Sequence, residues 1–520
     1  MLWLIPMVAG LAGFVVRRLR NEFCFIGAVA SLYYAIRLFV QSRSGVIEYE
    51  LGRIGALPIA LRIDAFSGFV LLFVSIFGLL VLTYSMRYMR GEKRANGHFL
   101  FLLLALACAN GVLLAANLVV LFVFWGMLLA VTFGLLLSGQ NESSRVARKA
   151  LLMVGLSDLA MLLGIILFLR RDWVDLAPSS PLPLTDPQAI VAYALVAVGA
   201  LAKAGSMPLH TWIPAASETV PAPVMAFVPV SVDNLLGIYL LTRMSVSMFD
   251  ISSNPVIGNV LMLVGSVTIV VAVVMALVQK RMMRSLSFHA ISQVGYMVLG
   301  IGTGTPVGIA GALFHMLNHS LCKAGLFLSA GSVERAARTD ELARLGGLSR
   351  RMPITFVAFL VAALAIAGVP PLSGFASKWM VYQGVTELAH TGNWLYPLYL
   401  AAAVVGSMLT FALFLRLLHS IFLGQRPVAL DRVRETGFAM WVPTVLLALA
   451  SVGFGLFAYQ VPLKLFIYPG LPFTVVLPAP WRPALAPVLQ VIAVGLGAAI
   501  YLLGARASRS RAGRSPAANE

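Results

Sequence analysis

The chain has 520 residues, of which 60% are hydrophobic and 11% are charged, and its mean hydropathy is +0.91. These values exclude a soluble globular protein, so most of the chain must lie in lipid. The net charge of +18 would suit nucleic-acid binding, but roughly two thirds of the Lys and Arg residues fall in loops on one side of the membrane. That bias sets an orientation and argues against nucleic acid as a partner.

Apolar runs of about 20 residues, each long enough to cross roughly 30 Å of hydrocarbon as a helix, recur along the whole chain. We count fifteen, at approximately 1–16, 23–41, 65–85, 98–115, 117–138, 150–169, 189–208, 223–243, 255–279, 285–302, 306–331, 353–383, 394–423, 438–460 and 484–504. We therefore predict an all-α polytopic membrane protein with about 14–15 transmembrane helices in the cell (inner) membrane.

The distribution of Lys and Arg between the loops predicts the topology. It places the N-terminus outside and the basic C-terminal tail in the cytoplasm. The first apolar run is followed, not preceded, by its arginines. We expect this run to remain as a helix, because a cleaved signal peptide has the opposite order.

Two acidic residues are associated with the first six runs. Asp64 precedes the third run, where a helix cap is a more common role for a carboxylate than a functional site. Asp158 lies inside the sixth run as a lone intramembrane acid. Hydrogen-bonded packing against neighbouring helices and membership of an ion path are equally good interpretations of Asp158.

The seventh run places a lysine beside a helix break. Lys203 is followed by Gly205 and Pro208, which weaken and break helices. A charge in such a span is expected to face a protein-lined or water-filled interior and to take part in transport. His210, on the irregular segment that follows, is either a bonding partner of that segment or a proton donor. Asp233 in the eighth run is the expected ionic partner of Lys203, because an unpaired ion in lipid is costly.

Three titratable residues follow one another on the eleventh run. His315, His319 and Lys323 have the spacing i, i+4, i+8, which places them on one helix face. Imidazole exchanges protons near neutral pH, so the row predicts a proton relay. The alternatives are a structural polar stripe and a metal site, and the metal site needs a third ligand that this face does not supply.

The twelfth run repeats the theme of the seventh. Gly368, Pro370 and Pro371 interrupt it before Lys378. Two interrupted spans, each with one lysine, at comparable places in two halves of a chain indicate a transporter built from an inverted repeat.

Redox chemistry has no sequence support. Cys24, Cys108 and Cys322 lie singly in apolar runs without the paired spacing of a disulfide framework or an iron–sulfur site. No dinucleotide or phosphate-binding motif occurs in its required strand–turn–helix context. We expect neither a cofactor nor a metal, and no catalytic residue in this chain.

Four strings carry a resemblance to a known family: KAGSMPLHTWIPAA, HAISQVGYMVLG, GALFHMLNHSLCKAGLFLSAGSV and PPLSGFASK. In this order they resemble the proton-conducting, antiporter-like membrane subunits shared by respiratory complex I, membrane-bound hydrogenases and Mrp sodium/proton antiporters. The resemblance covers roughly residues 60–425.

The resemblance implies two half-channels formed by two inverted five-helix repeats. Lys203 corresponds to the first-half lysine and Lys378 to the lysine near the second-half outlet. His315 and His319 correspond to the connecting relay, with Lys323 beside them. The expected divisions are N-terminal helices and an outer loop at 1–97, a first half-channel at 98–250, a second at 251–425, and C-terminal helices with a basic tail at 426–520.

Two positions depart from the family pattern. A glutamate usually follows the tryptophan of the fifth helix, where this chain has Gly126, and a lysine usually lies on the eighth helix, where it has Asn234 or Leu235. The first half-channel is therefore either rewired or silent. Our hypothesis is that Asp233 replaces the missing acid as the partner of Lys203.

The sequence favours a proton-translocating subunit of a multi-subunit redox-driven complex, complex I-like or hydrogenase-like. Its expected partners are other membrane subunits, a soluble redox module and protons. One alternative is a subunit of an Mrp-type sodium/proton antiporter, for which Na⁺ would be a second ion. Another is a proton-coupled or scaffold subunit that partners a soluble module and has a degenerate first half-channel.

Overall fold

The protein is a bundle of long helices. The computed structural model describes residues 2–55, 57–139, 142–476 and 492–503. The helices are α1 (Leu4–Val15), α2 (Arg20–Ser42), α3 (Ala65–Tyr88), α4 (Ala95–Leu114), α5 (Leu118–Leu137), α6 (Ser143–Leu169), α7 (Pro187–Ala204), α8 (Trp212–Ala216), α9 (Ala222–Phe227), α10 (Asp233–Thr242), α11 (Pro255–Leu277), α12 (Met282–Gly302), α13 (Pro306–Ala337), α14 (Pro353–Ala367), α15 (Ser373–Glu387), α16 (Tyr396–Leu418), α17 (Phe438–Leu456) and α18 (Ile492–Leu503). The all-α polytopic fold is confirmed.

Four short strands, which the sequence did not reveal, lie in the loops. β1 (Ile47–Ile54) and β2 (Leu57–Ile63) form an antiparallel hairpin between α2 and α3, with Ile47 opposite Ile63. β3 (Leu182–Pro183) and β4 (Phe249–Asp250) pair in parallel. These strands lie in the connections between helices, so the helical bundle remains the architecture of the chain.

Within the described residues, ten helices are long and apolar enough to cross a membrane. That is fewer than the 14–15 predicted. α12 and α13 are 21 and 32 residues long but carry histidines and a lysine, and the predicted span 353–383 is divided into α14 and α15. The last predicted run is described only as α18, and the basic tail after residue 503 lies outside the described residues.

The two predicted helix breaks are confirmed. α7 ends at Gly205 and α14 ends at Gly368, and both glycines adopt left-handed backbone conformations, with φ of 78° and 86°. Glycine adopts this conformation without the steric penalty of a Cβ, so it commonly ends helices. Each break thus has a local cause. The inverted relation between the two halves, and the division into 1–97, 98–250, 251–425 and 426–520, stay predictions.

α13 lies at the centre of the bundle. All of its residues from Val307 to Val333 are buried, and it packs against α9, α12, α14, α15 and α17. The segment 222–246, which contains α9 and α10, is also fully buried. Polar residues on these elements therefore face protein, not lipid.

Two glycines allow close backbone approaches beside the broken helices. A Cβ at Gly237 of α10 would lie 2.5 Å from the Ala204 nitrogen at the end of α7. A Cβ at Gly374 of α15 would lie 1.7 Å from the Ala365 oxygen of α14. Any other residue would push these segments apart, so the two glycines help to fix the positions of both lysine-bearing helices.

At the edge of the bundle, Asp64 caps α3, as the sequence predicted. Its carboxylate accepts from the Ser67 N–H, and the Ser67 hydroxyl accepts from the Asp64 N–H. The carboxylate also binds the buried Arg243 guanidinium at 2.6 Å. This ion pair connects the start of α3 to the segment after α10, and no sequence pattern indicated it.

Candidate functional site

All the predicted path residues are inside the protein. Each has 5% or less of its surface exposed: Asp158, Lys203, Asp233, His315, His319, Lys323 and Lys378. Polar side chains buried in a membrane bundle need partners within the protein. Their contacts therefore define the site.

Lys203 lies on α7 against Trp125 of α5. Its Nζ lies 4.7 Å from the centroid of the indole ring and 3.5 Å from the Trp125 carbonyl oxygen. The Nε1 of the same indole donates a 2.8 Å hydrogen bond to Oδ1 of Asp158 on α6. One tryptophan therefore contacts both an ammonium and a carboxyl group, and the sequence did not identify it.

The predicted direct ion pair between Lys203 and Asp233 is not formed. Among the residues that the structure describes, no carboxylate oxygen lies within 4.0 Å of Lys203 Nζ. Asp233 is close enough for its charge to interact with those of Lys203 and Asp158, but its Oδ1 has no hydrogen-bond partner in the described part of the chain. The Trp125 ring occupies the position beside Lys203 that the prediction gave to Asp233.

Asn234 connects the first break to the central helix. Its amide nitrogen donates to the Ala204 oxygen at 2.6 Å and to the Pro229 oxygen at 2.9 Å, and its oxygen accepts from Nε2 of His319 at 2.9 Å. The sequence left Asn234 and Leu235 as alternatives for the position of the missing lysine. The contact with His319 identifies Asn234 as the residue that faces the site.

The predicted row on α13 is confirmed as one continuous helix. His319 contacts Asn234, and Nδ1 of His315 lies 3.0 Å from the Ser377 hydroxyl on α15. Lys323 donates to the Leu286 carbonyl oxygen at 3.1 Å. The two histidines thus point to opposite halves of the protein, one toward the first break and one toward the second.

Lys378 lies on α15 beside Tyr296 of α12. Its Nζ lies 4.7 Å from the centroid of the phenol ring, and no described residue offers it a hydrogen-bond partner. The Tyr296 hydroxyl contacts Ser407 at 2.8 Å, and the Tyr382 hydroxyl contacts the same serine at 2.6 Å. The second lysine therefore lies against a tyrosine ring whose hydroxyl belongs to a cluster of three hydroxyl groups.

Another buried histidine, His289, lies near Lys323. His289 Nε2 contacts the Thr410 hydroxyl at 3.3 Å and the Gln293 amide at 3.1 Å. Its ring packs on Phe414, which also lies 5.6 Å from Lys323 Nζ. Sequence spacing related His289 only to Gln293, because the other contacts come from helices distant in the chain.

Metal binding has no geometric support in the part of the chain that the structure covers, where no three His, Cys, Asp or Glu residues cluster as ligands. His315 and His319 direct nitrogens to separate partners, as described above. The cysteines at positions 24, 108 and 322 are buried and unpaired by disulfide. The arrangement suits proton exchange between imidazole, ammonium and hydroxyl groups.

Comparison with known proteins gives two family matches. The pattern described as "NADH:quinone oxidoreductase/Mrp antiporter, TM" matches residues 115–410, and that described as "NADH-Ubiquinone oxidoreductase (complex I), chain 5 N-terminus" matches residues 53–99. The first match covers more than half of the chain and includes all seven predicted path residues.

Curated relatives come from two kinds of complex. NADH-quinone oxidoreductase subunit N of Desulforudis audaxviator is 32% identical over 423 residues, which cover 78% of this chain and 83% of the relative. Na(+)/H(+) antiporter subunit A1 of Staphylococcus haemolyticus is 30% identical, covering 76% of this chain and 52% of the relative. The chain thus spans about half the length of this antiporter relative.

Solved structures share the fold. A chain of the Mrp complex from Dietzia sp. aligns with a TM-score of 0.80 at 25% identity, covering 89% of this chain and 95% of the other. A chain of the archaeal membrane-bound sulfane sulfur reductase aligns with a TM-score of 0.80 at 27% identity, covering 97% and 85%. Both are chains of multi-subunit membrane complexes.

Proposed function

The chain belongs to the family of NADH:quinone oxidoreductase and Mrp antiporter membrane subunits, and we propose that it carries protons between Lys203 and Lys378 in a redox-driven membrane complex. The resemblance seen in the sequence is thereby confirmed as membership. A proton-translocating membrane subunit fits both kinds of relative. We propose the driving reaction, which is a redox reaction, and the translocated ion, which is the proton.

One observation carries the proposal: α13 connects the two broken helices through side-chain contacts. Asn234 contacts the last residue of α7, Ala204, and also His319. One helical turn away, His315 contacts Ser377, the neighbour of Lys378 in the sequence. A polar connection therefore runs from one lysine-bearing helix to the other through the protein interior.

The connection contains gaps that are bounded by polar atoms. His319 Nδ1, His315 Nε2 and Lys378 Nζ are buried and find no partner among the described residues. Buried polar atoms of this kind are commonly satisfied by internal water. Water molecules at these atoms would complete a path along which imidazole groups accept and release protons near neutral pH.

Two cavities, one mainly polar and the other lined by both apolar and polar residues, lie at opposite ends of the helical bundle. One, of about 510 Å³, is lined by Glu92, Glu218 and Glu334. The other, of about 420 Å³, is lined by Asn259, Thr305 and other polar residues. With the N-terminus outside, the first faces the cytoplasm and the second faces outward. We assign the protein to the cell (inner) membrane in this orientation.

The proposed partners are other membrane subunits and a soluble redox module. The similarity to chains of multi-subunit complexes supports the first. The second candidate function is sodium/proton antiport, which the antiporter relatives favour. A scaffold that has lost its path is less well supported, because Asn234, His319, His315 and Ser377 form polar contacts between the two lysine-bearing helices and α13.

The test uses the complex purified through a tag on this chain and reconstituted in liposomes. A potassium diffusion potential with valinomycin drives proton flux, so the natural driving reaction need not be known. Lys203→Ala and Lys378→Ala should each reduce flux about 100-fold or more, because a positioned proton-transfer group typically contributes at least that much to a rate. Lys280→Ala, at an exposed lysine, is the control.

Three measurements distinguish a redox-driven pump, an antiporter and a scaffold. Unchanged flux in both axis variants would refute translocation by this chain and support a scaffold. Uptake of ²²Na⁺ that depends on Lys378 would identify an antiporter. Mass spectrometry of the purified complex would find iron–sulfur subunits for a redox pump and none for an antiporter.

A further inference from the structure

The Lys203 ammonium is buried without a salt bridge to any described carboxylate. Only 2% of the residue is exposed, and its nearest contacts are the ring and the carbonyl oxygen of Trp125. A buried cation is stabilised by an anion nearby, and removal from water is otherwise costly. A counter-ion must therefore act across the tryptophan.

We propose that Asp158 is this counter-ion and that Trp125 is the positioning residue that couples its charge to Lys203. The proposal rests on the proposed function, since it names the acid of the first half of the path. The indole donates its N–H to Oδ1 of Asp158 at 2.8 Å and presents its face to Nζ at 4.7 Å. An N–H group bonded to an anion increases the electron density of the ring, which strengthens its attraction for a cation.

The geometry selects Asp158 over Asp233. A carboxylate that accepts an N–H bond is stabilised in its charged form, and Asp158 accepts one from Trp125. Each of the two carboxyl groups has one buried oxygen without a partner in the described structure, Oδ2 of Asp158 and Oδ1 of Asp233. Only Asp158 also accepts a hydrogen bond there, so the charged form costs less at Asp158 than at Asp233. One ammonium and one carboxylate then balance, whereas two carboxylates would leave a net negative charge in a medium of low dielectric constant.

Gly126 stands where the family usually has a glutamate, and the contacts of Trp125 show which residue supplies the acid instead. A Cβ at Gly126 would meet no atom within 4 Å, whereas Trp125 is completely buried and contacts Lys203. An acid on the adjacent helix α6 therefore replaces the acid that the family usually has on α5. The first half-channel is rewired and is not silent.

Three titratable groups on neighbouring helices lie close enough for their charges to interact with that of Lys203. They are Asp158 on α6, Asp233 on α10 and Cys108 on α4. Removing the negative charge of Asp158 leaves Lys203 without its counter-ion, so the ammonium becomes less stable. The pH at which flux is half-maximal should then fall.

The test measures flux and its pH dependence in the reconstituted complex. Asp158→Asn should reduce flux about tenfold and lower the pH midpoint, and Asp158→Glu should restore the midpoint. Trp125→Phe keeps a ring beside Lys203 but removes the N–H, and should reduce flux about threefold. The double variant should be no worse than Asp158→Asn alone, because coupled residues are not additive.

Trp212→Phe is the matched control. Trp212 is also buried, but its Nε1 has no hydrogen-bond partner among the described residues, so the same change removes no contact. If Trp125→Phe has the same flux as Trp212→Phe, the proposal is overturned. This comparison still tests the proposal if the Asp158→Asn protein fails to assemble. If Asp158→Asn keeps the wild-type flux and pH midpoint while Lys203→Ala loses flux, the role of Asp158 as counter-ion is refuted and the proposed function is not. Flux retained in Lys203→Ala would refute the proposed function itself.

Discussion

Replacing Asn234 by leucine tests the connection between the two halves most directly. Leucine is close to asparagine in size but forms none of its contacts with Ala204, Pro229 and His319. Each buried group left without a partner costs about 1–3 kcal/mol, while the gained apolar contact offsets about 1–2 kcal/mol. Three groups lose their partner, so the expected net loss of stability is about 1–8 kcal/mol.

The loss of proton flux in Asn234→Leu should be larger than the loss of stability explains. Asn234→Leu leaves the imidazole of His319 without a protein partner at either nitrogen, because Nδ1 has none in the described structure. We expect a loss of flux of about tenfold or more in the reconstituted complex, measured on protein that still assembles and melts as one species. Thermal melting of the purified complex gives the stability change.

Asn110→Leu is the control for this variant. Asn110 is fully buried on α4, and its amide contacts Ser31 at 3.2 Å, away from the path. It should lower stability by about 1 kcal/mol and leave flux unchanged. Equal flux losses in the two variants would show that buried amides matter only for folding, and full flux in Asn234→Leu would refute the connection through α10.

Two further predictions concern the break and the cap. Gly374→Ala places a Cβ 1.7 Å from the Ala365 oxygen, so α14 and α15 must separate by more than 1 Å to reach the 3.0 Å limit. The proton flux should therefore fall. Gly453→Ala is the control, because its Cβ would meet no atom within 4 Å, and it should leave the flux unchanged. Burial would raise the pKa of Asp64, but the Arg243 charge and the hydrogen bonds outweigh it and hold that pKa below its ordinary value. Asp64→Asn should therefore cost about 3 kcal/mol at neutral pH, and melting curves at falling pH should converge with wild type only below about pH 4. A Gly374→Ala protein with normal flux, or an Asp64→Asn protein that melts like wild type at pH 7, would contradict these accounts.

The sequence by itself determined the membrane class, the two helix breaks and the row on α13. Each depends on local information: the length of apolar runs, the backbone preferences of Gly205 and Gly368, and the 3.6-residue period that aligns His315 with His319. These features needed no knowledge of neighbouring helices. The resemblance to the family was also carried by contiguous strings.

Only the tertiary structure decided which side chains meet. Trp125 rather than Asp233 lies beside Lys203, and Asn234 rather than Leu235 faces His319. Both outcomes depend on how each helix is rotated about its axis, which is set by packing against helices far away in the chain. In a helix that is apolar on all sides, the sequence carries no amphipathic signal for that rotation, so close packing between the helices is what selects the contacts.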